Sequence, residues 1–170
     1  AMGLRLDPRA SQEAIAPAAE LLEHRRLVLV FGVRLTLSAL AIAEPIQPSL
    51  VGAATTEDEG VELVLRTQPD LLICSSDLET GYGPVLLKRV KAELPTCQLL
   101  IVLERETKAL VREALDAFAD VVIFKSSLGT GRGDLIGALH TLAEGGVYYP
   151  ADIRRWWRSS PSASWMWRQR

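Results

Sequence analysis

Apolar residues along the chain gather into short continuous runs, and the stretches between them switch to helical spacing. The runs at 27–31 (LVLVF), 50–54 (LVGAA), 71–74 (LLIC), 99–103 (LLIVL) and 121–124 (VVIF) are bounded by charged, Gly or uncharged polar positions. Runs of this length predict strands covered on both faces. Between them, helical spacing over 35–43 stops before Pro45. Thr56 with Glu57, Asp58 and Glu59 caps and charges the start of a helix that reaches Thr67. A third helix over 84–94 is ended by Pro95, a fourth covers 107–118, and a fifth over 134–143 is stopped by Gly145-Gly146. Five short strands alternating with five helices predict an α/β domain with a doubly wound parallel sheet.

Such a sheet places its sites at the carboxyl ends of its strands, so the loops after Phe31, Cys74, Leu103 and Phe124 are the ones to inspect. Length fits this picture: 170 residues suffice for one packed core with appendages. The appendages are a segment 1–25, in which Ile15, Ala18, Ala19, Leu21 and Leu22 form an apolar helical stripe over 11–26, and a tail 147–170 that holds all four tryptophans. Trp156 and Trp157 stand among five arginines opposed by one aspartate between 150 and 170. That stretch carries about +4 of a net −2, which leaves about −6 for the remainder and argues against nucleic-acid binding by the domain body. Ile15, Leu21, Leu22, Trp156 and Trp157 are therefore interface candidates, with packing inside their own chain as the alternative. No stretch reaches the roughly 20 apolar residues of a bilayer span, so membrane association is not expected and the cytoplasm is. Cys74 and Cys97 have neither CxxC spacing nor a nearby His, and are expected to be buried apolar groups rather than metal or redox sites. The GTGRGD stretch at 129–134 lacks Walker spacing, and His24 and His140 have no triad partners in view.

Three quoted stretches carry a family resemblance. QPDLLICSSDLETGYGPVLLKRVKAELP (68–95), EALDAFADVVIFKSS (113–127) and DLIGALHTLAEGGVYYPADIRR (134–155) resemble the receiver domain of two-component response regulators of the NarL/LuxR type, over about residues 26–155. The resemblance implies a flavodoxin-like (βα)5 sheet of order 2-1-3-4-5 spanning 26–146. It also implies a helix-turn-helix domain after the exit segment, which this sequence does not contain, so contact with DNA is expected only through such a domain.

The resemblance further implies a chemistry. A receiver accepts a phosphoryl group on an aspartate ending strand three, helped by magnesium held partly by an acidic pair after strand one. A Thr or Ser ending strand four and a Lys ending strand five hold the phosphoryl oxygens. Residue by residue, the acidic pair falls on Phe31 and Gly32, the acceptor on Ser75, the hydroxyl on Leu103 and the lysine on Lys125, so only the lysine is kept. This implies an atypical receiver with a degenerate phosphorylation site, no metal or other cofactor and no enzymatic activity. It would act on other signalling proteins by contact, as a homodimer. Two alternatives stand beside it: an active acceptor using Asp77 or Ser75 with magnesium, and a sensor whose vacated pocket, lined by Phe31, Leu103 and Ser75, takes an apolar metabolite. Lys125 has Asp77, Glu104 or a backbone carbonyl as possible partners, and Asp77 with Glu79 otherwise reads as a solvated acidic loop.

Overall fold

The structure is a computed structural model that describes residues 20–43, 46–128, 134–147 and 149. Ile15, Trp156, Trp157, the tail from 150 onward and residues 129–133 lie outside them. Strands β1 (Leu27–Val30), β2 (Leu50–Ala54), β3 (Leu71–Ser75), β4 (Gln98–Leu103) and β5 (Val121–Phe124) form one parallel sheet in the order β2-β1-β3-β4-β5. Helices α1 (Arg34–Ile42), α2 (Glu57–Thr67), α3 (Gly83–Glu93), α4 (Lys108–Asp116) and α5 (Asp134–Ala143) alternate with them. The flavodoxin-like order expected from the sequence is the one observed, with element ends displaced by one or two residues.

Period-two alternation divides the strand side chains between two cores. Val28, Val30, Leu72, Cys74, Leu99, Ile101, Leu103, Val122 and Phe124 pack with Leu63, Leu86, Val90, Leu110 and Ala114 of α2, α3 and α4. Leu27, Leu29, Phe31, Leu71, Ile73, Leu100, Val102, Val121 and Ile123 pack with Ala138, Leu139 and Leu142 of α5. Every residue of β1, β3 and β5 is buried, because helices cover both faces. Cys74 and Cys97 are free, buried thiols of the first core.

Helices α2 and α4 start at capping hydroxyls. The Thr56 hydroxyl accepts the Glu59 N–H and the Thr107 hydroxyl accepts the Leu110 N–H, satisfying donors that the first turn leaves unpaired. Gln68, at φ 48°, ends α2 in the left-handed conformation. Helix α1 differs from the others, since none of its residues is fully buried and Leu35 and Ile42 are 80% and 74% exposed.

The amino-terminal helix corrects one expectation. Its described part ends after Glu20–Leu22, in a turn where His24 has φ 65°, rather than running to Arg26. Leu22 is buried in the α5-side core, with its carbonyl accepting the Ser49 hydroxyl at 2.8 Å, and Leu21 packs against the same cluster. Leu22 is thus spent on its own domain and is not available as an interface anchor. Among the described residues no helix is long and apolar enough to cross a membrane.

Candidate functional site

Register brings the expected positions to one edge. Val30 lies opposite Cys74, Ser75 opposite Val102 and Leu103 opposite Phe124, so the strands end together and Phe31, Ser75, Leu103 and Lys125 share the carboxyl edge of the sheet. Phe31 and Leu103 do not face solvent there. Each is buried, Phe31 in the α5-side core and Leu103 in the opposite one.

Ser75 is also buried, and both capacities of its hydroxyl are used. It accepts the Gly32 N–H at 3.2 Å and donates to the Asp77 carbonyl at 2.9 Å. That bond turns the chain back over Gly32 immediately after β3. A Cβ on Gly32 would overlap the Asp77 carbonyl oxygen and approach Leu78 Cα to 2.8 Å, so the absence of a side chain at 32 is what admits the returning backbone. Gly83 serves the same purpose at the other end of the loop, where a Cβ would overlap the Ser75 carbonyl and lie 2.8 Å from Ser76 Cα.

Ser76 is a site residue that the sequence expectations missed. It is fully buried, and its hydroxyl accepts the Glu104 N–H at 2.9 Å. Its own N–H donates to Val102, and its carbonyl accepts the Gly83 N–H at 2.8 Å. The available signal was the serine doublet at the end of an apolar run, since a buried hydroxyl there needs backbone partners.

The charged groups of the edge are paired. The Lys125 ammonium lies 3.0 Å from Glu104, which selects that carboxylate from the three expected partners. Asp77 meets Arg105 at 3.3 Å, and Glu79 takes Arg34 at 2.9 Å, with a second contact from Nε at 3.3 Å. A hydrogen bond from the Thr55 side chain, and then the one from Arg34, hold the Glu79 carboxyl below the usual carboxylate range. Glu57 binds Arg89 at 2.7 Å and also accepts the Tyr82 N–H. Burial, followed by a hydrogen bond to Glu113, pushes the Tyr82 phenol up to about 12.

A magnesium ion requires several hard oxygen ligands. Phe31 and Gly32 supply no side-chain oxygen, the Asp77 carbonyl is engaged by Ser75, and loop backbone fills the space over Gly32. Among the described residues no three His, Cys, Asp or Glu side chains gather at metal-binding distance. The residues of this edge do not fit the ion that the resemblance implies. Nor do Phe31, Leu103 and Ser75 line an open apolar pocket: all three are at most 1% exposed, which corrects the expectation of a metabolite site there.

Comparison with known proteins places the fold. No family model matches the chain, and no curated protein does. Solved structures do match. The isolated receiver domain of RcsB from Salmonella enterica serovar Typhimurium, determined with the phosphomimetic beryllofluoride, superposes with a TM-score of 0.66 at 17% identity, covering 77% of this chain and 96% of that one. A LuxR-family two-component response regulator from an Aurantimonas species gives 0.66 at 21%, covering 77% and 93%. The receiver domain of the putative response regulator NarL from Mycobacterium tuberculosis gives 0.60 at 24%, covering 71% and 97%. The chain therefore has the fold of response-regulator receiver domains, and the likeness at these identities concerns the fold.

Proposed function

We propose that this chain is a receiver-like signalling module that works without phosphorylation, through contacts with other proteins, and that it is not an enzyme. The observation that carries the proposal is the state of Ser75. At the position corresponding to the acceptor, a neutral hydroxyl is buried, accepting from the Gly32 N–H and donating to the Asp77 carbonyl. A serine becomes a nucleophile through an adjacent base or metal, and the neighbouring Phe31, Gly32 and Leu103 supply neither. Lys125, the one position retained, is engaged by Glu104.

Action through a surface is supported by the apolar residues that α1 leaves exposed, Leu35 and Ile42. In this proposal the working form is a cytoplasmic two-fold homodimer, the commonest symmetry among oligomers. It reaches DNA only through a separate helix-turn-helix domain.

Intact-mass measurement after incubation with acetyl phosphate and magnesium tests the central claim. No acid-labile phosphoryl adduct is expected. A stoichiometric gain of one phosphoryl group, abolished in Asp77→Asn or Ser75→Ala, would establish the active-acceptor alternative instead.

A further inference from the structure

The segment between β3 and α3, residues 76–82, is fastened to each neighbouring loop of the carboxyl edge. On the β1 side, the Asp77 backbone lies over Gly32, and Arg34 holds the Glu79 carboxylate. On the β2 side, the Glu79 N–H donates to the Thr55 carbonyl at 2.9 Å, and the Glu57 N–H donates to the Thr80 carbonyl at 2.9 Å. Also from that side, Glu57 accepts the Tyr82 N–H. On the β4 side, Arg105 reaches Asp77, and the Glu104 N–H donates to Ser76. Within the segment, Asp77 pairs with Tyr82 as an isolated antiparallel bridge.

Main chain in contact with Gly32 and a side chain on residue 32 exclude each other. We infer that this loop is a latch: its backbone takes the volume over Gly32 in which the resemblance would place the ion and its carboxylate ligand, and the buried Ser75 hydroxyl locks it there. The inference rests on the proposal that the site is unphosphorylated, and it adds to it. The site is filled as well as stripped of ligands, so the loop holds one conformation whether or not magnesium and a phosphoryl donor are present.

Amide hydrogen exchange on the full chain, read by mass spectrometry, tests the latch. Protection over residues 76–83 is expected to be unchanged by millimolar magnesium with acetyl phosphate. Gly32→Ala is expected to raise exchange of that peptide by about tenfold while leaving β4 protected, because local opening then precedes global unfolding. Ser75→Ala removes the lock without adding bulk, and is expected to raise exchange of the same peptide several-fold. If Gly32→Ala also strips protection from β4, Ser75→Ala alone decides. Exchange identical to the parent in Ser75→Ala, or in a folded Gly32→Ala, overturns the latch, as does a change in the parent on adding magnesium. A phosphoryl adduct on the parent would overturn the proposed function, and the exchange of the two variants would still decide the latch separately.

Discussion

Replacing Leu103 by threonine would restore the residue type that a phosphoryl-binding edge calls for, and its effect on stability separates a core position from a site position. Leu103 is 0% exposed, among Cys74, Ile101, Val111 and Phe124 of the helix α2–α4 core. Threonine removes two carbons from that environment, a loss of about 1.6 kcal/mol at ~0.8 kcal/mol per buried methylene. It also introduces a hydroxyl among apolar side chains, which costs about 1–3 kcal/mol if unpaired. Together these predict destabilisation by about 3–5 kcal/mol. At roughly 2–4 °C per kcal/mol for a chain of this size, the melting midpoint falls by about 10 °C. Urea unfolding followed by far-UV circular dichroism measures the free energy, and a thermal scan supplies the second number. Leu103→Met, which conserves volume, serves as control and should cost less than about 1.5 kcal/mol. A Leu103→Thr protein within about 1 kcal/mol of the parent would mean that the position already has polar surroundings, and the assignment of Leu103 to the core would be wrong.

Two further outcomes follow from the charged and buried polar groups. Burial raises the Asp120 pKa above its ordinary 3.8, outweighing the bond its carboxylate accepts from the Leu99 N–H. A raised folded pKa means that the folded state holds the proton more tightly, so this contribution is complete below about pH 3.8 and is lost as pH rises through the folded value. Asp120→Asn keeps an acceptor and removes the titration, so its stability relative to the parent should rise as pH increases above 3.8. Urea midpoints for both proteins from pH 3 to 7 check this, and a flat difference would refute it. Lys125→Met should change stability by less than about 1 kcal/mol in the same urea assay, because its pair with Glu104 is 42% exposed on the lysine side.

What was legible in the sequence was mostly one-dimensional. The apolar runs ending at Phe31, Cys74, Leu103 and Phe124 became strands because a doubly covered sheet leaves little choice of residue, whereas the run ending at Ala54 forms an edge strand that is only partly buried. The absence of acids at Phe31 and Gly32 could likewise be read directly from residue type. Space and pairing could not be. Gly32 showed only that a carboxylate was missing, and the fold was needed to show what fills its place. The partner of Lys125 stayed open among three candidates, because Glu104 and Asp77 lie on different loops whose relative positions depend on the sheet. Ser76 was overlooked because a serine next to a turn usually faces water, while here backbone from two neighbouring segments closes over it. His24 carries no signal strong enough to predict that the amino-terminal helix stops at its left-handed turn.

The two cysteines give the domain an internal clock. Cys74, beside Ser75 in β3, is wholly buried, and desolvation raises its pKa far above the ordinary thiol value; Cys97, at the entry to β4, is pushed up to about 12, mainly by burial. The thiolate is the reactive form, so neither sulfur can attack a disulfide reagent while its surroundings stay closed. Both sit in the same helix-covered core. Labelling of the unmodified protein therefore counts openings of that core, with no probe needing to be introduced.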